Sequence, residues 1–242
     1  MTPPLWSATV PRYLPAALSA LLLSSSACLS TGPDANATTL DFAFAAGGLN
    51  EGWDIGGADF PLDREAEVKL DGGDRTVPGT ETQTLYQSGT NVTGDLFTFQ
   101  RKLYVTGLFP GRTYSGISFQ IGFVTNIHSG CTTGAGPLVV IKAGVLATEP
   151  RAEPDAQGIY RMNIDKGSGT AAGDYAQLGD IRNGLSGCPA TGTYAVQSTA
   201  RVTQAATLTT DAQGGFWVFL GTQSSFLGRH EIYFTQLRLI LH

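Results

Sequence analysis

The segment Ile117-Ser118-Phe119-Gln120-Ile121-Gly122-Phe123-Val124 alternates large apolar residues with small or polar ones. Successive side chains of a β-strand point to opposite faces, so this period of two places four large side chains on one face. The segment therefore predicts a strand with one buried face. The same alternation recurs near the two ends of the chain, at residues 40–44 and 233–241.

Further strand candidates are short, rich in β-branched or aromatic residues, and separated by turn signals. They are Ala66–Leu70, Thr82–Gln87, Leu96–Val105, Leu138–Val145, Ile159–Ile164, Thr193–Thr199, Val202–Thr209 and Phe216–Gly221. Asp71-Gly72-Gly73-Asp74, Pro110-Gly111 and Asp211–Gly215 are the clearest turn signals between strands. About ten short strands without an amphipathic helix predict an all-β sandwich or barrel. Since no repeat and no break in composition divides the chain, residues 39–242 are expected to form one domain.

The N-terminal residues have the pattern of an export signal. Arg12 precedes an apolar run from Leu14 to Leu23, and small residues follow it. The run is shorter than the roughly 20 apolar residues that a membrane-spanning helix needs. Residues 1–27 are therefore expected to form a helical signal peptide, and residues 28–38 a polar tether.

The exit from this segment, Ser25-Ser26-Ala27-Cys28, resembles a bacterial lipoprotein signal, in which the cysteine becomes the lipid-modified first residue. Ordinary signal peptidase could cleave at nearly the same place, so the two readings remain open. The resemblance implies an exported protein of the cell envelope, anchored by lipid at Cys28 and otherwise secreted or periplasmic. The anchor is then the only expected contact with the membrane.

The three cysteines agree with an oxidising compartment. Cys131 and Cys188 both lie in Gly-rich loops and are expected to form a disulfide, which leaves Cys28 for lipidation. Closing that loop stabilises the fold by about 4 kcal/mol in the chain-entropy model.

Charge and motifs exclude several classes of function. The net charge is −5 and no Lys/Arg cluster occurs, which argues against nucleic acid and anionic membrane surfaces as partners. His230-Glu231 lacks the second histidine of a zinc-protease motif, and Gly184–Cys188 lacks the last glycine of a nucleophile elbow. Catalysis is thus left uncertain, with the balance against it.

Acidic residues are densest between positions 51 and 74. They are Glu51, Asp54, Asp59, Asp63, Glu65, Glu67, Asp71 and Asp74. Calcium prefers several carboxylate and carbonyl oxygens from flexible loops, so it is the candidate ion here. The spacing matches no EF-hand loop, and a solvated acidic surface is the alternative.

The opening Leu40-Asp41-Phe42-Ala43-Phe44, followed by Gly52-Trp53-Asp54, resembles the start of galactose-binding-like jelly rolls. That superfamily includes many carbohydrate-binding modules, and the resemblance implies a jelly-roll β-sandwich that binds glycan. Aromatic rings stack on sugar faces, so Trp53 with Asp54 and Asp59 is the first predicted site. Asn126 and His128, in the loop after the Ile117–Phe123 strand, form the second. Packing of Trp53 at the rim of the core is the alternative.

A second segment, Val105–Tyr114, is similar to the Leu-x-Pro-Gly-x-x-Tyr corner of fibronectin type III domains. Those domains have about 100 residues, so the length of this chain favours one larger jelly roll. The sequence thus predicts a non-catalytic, glycan-binding envelope protein. A structural or adhesive protein with a protein partner, and a polysaccharide lyase or hydrolase on a jelly-roll scaffold, remain as alternatives. The oligomeric state is left open.

Overall fold

A computed structural model describes residues 37–44, 52–105, 107–166 and 174–242, and their strands build two antiparallel sheets that pack face to face. The predicted signal peptide and Cys28 lie outside the described residues. No helix in the described ranges is long and apolar enough to cross a membrane.

The described part of the chain contains fourteen strands, two one-turn α-helices and a short 3-10 helix at Leu62–Arg64. The strands are β1 (Thr38–Ala43), β2 (Asp54–Ala58), β3 (Asp71–Thr76), β4 (Gln83–Asn91), β5 (Leu96–Tyr104), β6 (Thr113–Thr125), β7 (Val139–Leu146), β8 (Ala152–Pro154), β9 (Tyr160–Met162), β10 (Ala176–Asp180), β11 (Ala195–Ser198), β12 (Val202–Thr209), β13 (Phe216–Ser224) and β14 (Gly228–Leu241). The helices are α1 (Glu65–Val68) and α2 (Ala135–Leu138).

β14 is the central strand of the first sheet, and β13 is the central strand of the second. The first sheet has the order β11-β6-β14-β4-β3, with β1 also paired to β14 and β12 also paired to β6. The second sheet has the order β10-β7-β13-β5-β2, and β8 with β9 forms a separate hairpin. The segment Ile117–Val124 forms part of strand β6, as its alternation predicts, and β6 lies next to β14 in the first sheet.

Large apolar side chains from both sheets meet between them. Phe119, Phe123 and Phe234 of the first sheet and Phe216 and Leu220 of the second belong to one buried cluster. Each fully buried side chain of this size contributes about 1.5–3 kcal/mol to folding. The predicted all-β, jelly-roll-like sandwich is therefore confirmed, with more strands than the ten expected.

Two short segments differ from the prediction. Ala66–Leu70 was expected to be a strand, but Glu65–Val68 is helical and Lys69 ends the helix in the left-handed region at φ 48°. Five residues are too few to separate a period of two from one helical turn, and a single buried side chain, Val68, satisfies both.

Asp71-Gly72-Gly73-Asp74 was expected to be a turn and is instead part of edge strand β3. A Cβ atom at Gly72 would lie 2.7 Å from Cδ1 of Ile55 in the second sheet. The glycine therefore permits close packing rather than chain reversal.

Two turns repeat one sequence and one hydrogen-bond pattern. Asp155 and Asp211 each open an Asp-Ala-Gln-Gly turn, and each carboxylate accepts bonds of 2.6–2.9 Å from the backbone N–H groups two and four residues later. The glycine of each turn has positive φ, at Gly158 and Gly214. Asp side chains favour turns through such local bonds to the backbone.

The outer face of the second sheet is covered by described residues between β7 and β10, on both sides of the gap at 167–173. Phe97, Phe99 and Phe219 pack there against Ile164 and Tyr175, and all five side chains are buried. This face is thus closed to a ligand along much of its length. The outer face of the first sheet carries polar and charged side chains, among them Arg229 and Glu231.

A polar layer joins the two sheets inside the sandwich. Gln87 Nε2 of β4 donates to the Thr98 carbonyl oxygen and to Thr222 Oγ1, both at 3.0 Å. Thr222 Oγ1 also lies 3.0 Å from His230 Nε2 of β14. Because buried polar groups are costly when unpaired, these bonds favour one alignment of the sheets over shifted ones.

His230 makes this layer sensitive to acid. Burial lowers the pKa of His230 from 6.5 to about 4. The unfolded chain therefore binds a proton more readily, so stability is complete above pH 6.5 and falls as the pH drops from 6.5 towards 4. We expect His230 to remove about 2 kcal/mol from the free energy of unfolding between pH 7.5 and pH 5.

Urea denaturation at the two pH values measures this loss. In His230→Leu the loss between pH 7.5 and pH 5 should be smaller by the same amount, even though the variant is less stable overall. Equal losses in the wild type and the variant would contradict the assignment.

Candidate functional site

The predicted aromatic platform at Trp53 lies inside the sandwich. Trp53 is 8% exposed and makes edge-to-face contacts with Phe42 and Phe44, at ring-centroid distances of 5.8 and 5.5 Å. Its ring therefore offers no open face to a sugar. The packing alternative describes its position, because Trp53 packs against Phe42 in β1 and Phe44 just after that strand.

The structure does not gather Trp53, Asp54 and Asp59 into one site. Asp54 is exposed at the start of β2, while Asp59 follows the other end of that strand with its side chain 2% exposed. The Asp59 carboxylate pairs with Lys166 and, at 2.9 Å, with Arg161. Asp59 also has an unusual backbone conformation, with φ +70°. These cations bind its oxygens within the fold.

Glu51 of the acidic segment lies outside the described residues, and two other carboxylates of the segment pair with nearby arginines. Glu67 pairs with Arg64 at 2.7 Å, and Asp71 pairs with Arg75 at 3.1 Å. Within the described ranges, no group of three or more His, Cys, Asp or Glu residues is arranged to hold a metal ion. Calcium binding therefore stays a prediction from the sequence.

His128 joins two loops. It is 8% exposed, and its Nε2 accepts a 3.0 Å bond from the Thr193 N–H. A ring nitrogen that accepts carries no proton, so Nδ1 is the protonated nitrogen and donates to the Ser186 carbonyl oxygen at 3.1 Å. Both nitrogens are thus engaged within the fold, and His128 is not an exposed ligand-binding group.

The loops at residues 126–134 and 181–193, called the stapled loops below, pack against each other beyond the end of β6. The predicted disulfide between Cys131 and Cys188 is confirmed, with the two Cα atoms 4.7 Å apart. Asn183 Nδ2 donates to the carbonyl oxygens of Thr125 and Thr193 at 2.8 and 2.9 Å. A Cβ atom at Gly192 would overlap the Asn126 carbonyl oxygen. Cross-linking, hydrogen bonds and close packing thus hold these loops in one arrangement.

A pocket opens between the stapled loops and β14. In the described part of the sheet, β14 pairs with β4 from Gly228 onward, but its register with β6 begins at Tyr233. The resulting gap forms a pocket of about 190 Å³, called the Arg229 pocket below. Its lining residues come from the first part of β14, the loops and α2: Asn126, Ile127, Ala135, Ile181, Arg229, His230 and Glu231. Asn126, one of the predicted ligand residues, therefore lies at this site.

Three tyrosines, called the tyrosine cluster below, lie beside the pocket on the outer face of the first sheet. Tyr233 of β14 is directly opposite Tyr86 of β4, with ring centroids 4.9 Å apart, and makes an edge-to-face contact with Tyr194 at 5.6 Å. The guanidinium of Arg75 lies 4.2 Å from the centroid of the Tyr86 ring. This cluster is separate from the buried cluster between the sheets.

A β-bulge explains why Tyr233 faces outward. Its alternation with Leu237 and Leu239 predicts that all three share one face, but the register with β6 shifts between Phe234 and Gln236. Ile232 and Phe234 face the core before the shift, and Leu237 and Leu239 face it afterwards. Arg229, Glu231 and Tyr233 therefore lie on the opposite face, as extra residues at bulges reverse the alternation of side chains.

Arg229 and Glu231 carry opposite charges on one face, and hydroxyl groups hold both. Glu231 accepts bonds from Tyr194 Oη at 2.6 Å and from Tyr86 Oη at 3.1 Å. Arg229 Nη2 donates to Tyr86 Oη at 3.0 Å and to Ser88 Oγ at 2.9 Å. Among the described residues, neither side chain has an ion-pair partner within 4.0 Å. Two residues that line the pocket thus carry opposite charges at fixed positions.

The surroundings of Tyr194 and Tyr233 keep the hydroxyl groups of these two tyrosines protonated. Burial and then the Glu231 carboxylate raise the pKa of Tyr194 above its usual value. The same two causes, again with burial the larger, raise the pKa of Tyr233. These tyrosines consequently act as hydrogen-bond donors at ordinary pH.

Sequence reasoning missed most of this site. Arg229, Glu231 and Tyr233 alternate with apolar residues, and that pattern contains the signal for a polar outer face. The bulge after Phe234 hides it, because the alternation read back from Leu237 assigns Tyr233 to the core. The pairing of Tyr194 with Glu231 joins residues far apart in sequence and leaves no local pattern.

Comparisons with known proteins give distant structural similarity and no sequence match. No family model and no curated protein sequence matches the chain. The enzymatically active domain of tailspike protein 4 from bacteriophage CBA120 is 12% identical with a TM-score of 0.33, over 81% of this chain and 20% of that one. A carbohydrate-binding module of the β-sandwich superfamily is 14% identical with a TM-score of 0.38, over 80% of this chain and 58% of that one.

A third similar structure is the K3 cleaved adhesin domain of Lys-gingipain from Porphyromonas gingivalis. It is 9% identical with a TM-score of 0.36, over 83% of this chain and 97% of the domain. The chain spans only a fifth of the tailspike chain and 58% of the carbohydrate-binding chain. Because a shared fold does not fix a function, the function of this chain has to be argued from its own residues.

The bonds of His128 give a test of the stapled loops. His128→Phe keeps a ring of similar shape but leaves the Thr193 N–H and the Ser186 carbonyl without their partner. We expect the free energy of unfolding to fall by about 1–3 kcal/mol. Amide hydrogen exchange should quicken in residues 181–193 and remain unchanged in β13. Unchanged exchange in that loop would contradict the joining role.

Proposed function

We propose that this protein binds one residue of a glycan in the Arg229 pocket. The observation that carries the proposal is the fixed pair of opposite charges, Arg229 and Glu231, held apart by the hydroxyls of the tyrosine cluster. Guanidinium groups only donate hydrogen bonds and carboxylates only accept them, whereas sugar hydroxyls do both. The pair is thus suited to a ligand with neighbouring hydroxyl groups.

The size and rigidity of the pocket support recognition of a single sugar residue. Its 190 Å³ is below the roughly 300–1,000 Å³ of sites that enclose drug-sized ligands. Asn126 adds an amide at the rim, and Ile127 and Ile181 supply apolar contact. The stapled loops keep these side chains in place before a ligand arrives, which lowers the entropy lost on binding.

The protonation of the cluster supports binding rather than elimination chemistry at this site. A tyrosine that removes a proton from a sugar must first lose its own, and the raised pKa of Tyr194 opposes this. Hydrolysis of a glycosidic bond ordinarily uses two carboxyl groups. The described lining of the pocket contains one carboxyl group, that of Glu231.

Two substitutions test the proposal on a glycan array. Glu231→Gln removes the charged acceptor, and Asn126→Ala removes the amide at the rim without altering the tyrosine cluster. Bonds to charged groups contribute about 1.5–3 kcal/mol, so Glu231→Gln should weaken binding about tenfold or more. Asn126→Ala should weaken it by a smaller factor.

Glu149→Gln is the matched control, because Glu149 is a partly exposed carboxylate that pairs with Arg101 away from the pocket. It should bind as the wild type does. Circular dichroism and thermal unfolding verify that each variant folds. The proposal fails if the wild type binds no glycan, or if both pocket variants bind as tightly as the control.

We further propose that the protein works at the cell envelope, anchored by lipid at Cys28. The support is the sequence pattern of an apolar run that ends in Ser25-Ser26-Ala27-Cys28. Incorporation of labelled fatty acid in a bacterial host should occur in the wild type and be lost in Cys28→Ser. Labelling of neither protein would favour plain secretion, and equal labelling of both would place the lipid elsewhere.

A further inference from the structure

We infer that the sugar residue bound in the Arg229 pocket carries a carboxylate group, as uronic and sialic acids do, and that this group contacts the Arg229 guanidinium. The inference rests on the proposed glycan-binding function and specifies its ligand.

Arg229 differs from most of the described arginines because no carboxylate forms a direct ion pair with it. Seven of the ten arginines in the described residues form ion pairs with carboxylates: Arg64, Arg75, Arg101, Arg151, Arg161, Arg182 and Arg238. Of the other three, Arg112 stacks on the Tyr114 ring at 4.8 Å, and Arg201 lies exposed between two strands. Among the described arginines, Arg229 alone combines the lack of a direct ion pair with a place in the lining of the pocket.

Two hydroxyl groups hold the guanidinium of Arg229 in place. Its Nη2 group donates to two neutral acceptors, Tyr86 Oη and Ser88 Oγ, and this fixes the plane of the guanidinium. A guanidinium has five N–H donors, so these two bonds leave the Nε and Nη1 hydrogens for a ligand. Each planar edge of a guanidinium that can hold both carboxylate oxygens includes an Nη2 hydrogen, so the remaining Nε–H and Nη1–H groups contact a carboxylate as separate, charge-assisted donors.

The position of Glu231 sets the orientation of the ligand. Glu231 repels a carboxylate close to it, although the hydroxyls of Tyr86 and Tyr194 offset part of its charge. A sugar acid avoids this repulsion when its carboxylate faces Arg229 and its hydroxyl or amide N–H donors face Glu231. A neutral sugar leaves the charge of Arg229 uncompensated, so the acid should bind more tightly.

The test compares one oligosaccharide in two forms, as the free acid and as its methyl ester, for sialylated and for glucuronate-terminated glycans. Isothermal titration calorimetry with the full mature chain should show the acid of one of these glycans binding about tenfold or more tightly than its ester. The preference should decrease as salt rises, since salt screens exposed charges.

Arg229→Gln should weaken binding of the acid by a larger factor than binding of the ester, so that the preference for the acid is lost. Arg229→Lys, which keeps the charge but changes the number and direction of the N–H donors, should give an intermediate preference. Arg201→Gln is the matched control, because it removes an exposed, unpaired arginine outside the pocket, and it should keep the full preference. Thermal unfolding confirms that the variants fold.

The outcomes separate the two proposals. If the wild type binds no glycan in either form, the proposed function itself fails. If it binds neutral glycans or esters as tightly as acids, or if Arg229→Gln keeps the preference, glycan binding stands and the carboxylate inference is overturned. Binding of sulfated glycans in place of carboxylated ones would overturn it as well.

Discussion

The pairing of β14 with β6 is the constraint on which the rest of the molecule depends. It joins the two longest described strands along the middle of the first sheet, from Tyr233 opposite Val124 to Leu241 opposite Ile117. β1 and β4 attach to the free side of β14, and β11 and β12 attach to the free side of β6. The polar layer through His230 then aligns this sheet with the second one. Each neighbour is thus placed relative to one central pair.

The bulge after Phe234 allows one strand to serve both the core and the outer face. Without it, Tyr233 and Leu237 would share a face, and either the leucine would meet water or the tyrosine would enter the core. With the bulge, the leucine side chains of the second half of β14 pack between the sheets. Arg229, Glu231 and Tyr233 lie on the outer face of the first sheet. The gap beside the first half of the strand, closed by the stapled loops, becomes the pocket.

Sequence reasoning succeeded where the governing interactions are local or repeat with a clear period. Alternation located β6, and cysteines in an oxidising context located the bond between Cys131 and Cys188. It failed where a distant partner decides the outcome. Trp53 is buried because Phe42 and Phe44 pack against it. Gly72 lies in a strand because β3 pairs with β4, and it is a glycine because Ile55 fills the space of a side chain there. Asn126 lines the pocket together with Arg229 and Glu231, which lie more than a hundred positions later in the chain and could not be placed beside it from the sequence.

The position of β14 in the chain order also governs how the sandwich assembles. The strand that centres the first sheet is the last of the fourteen described strands, so β1, β4 and β6 have no common partner until residues 228–241 are present. Early segments must then wait for a contact of high sequence separation, and such contacts form slowly because long loops have to close first. The first sheet therefore cannot form around its central strand until residues 228–241 are available to pair, whichever of its other strands are made first.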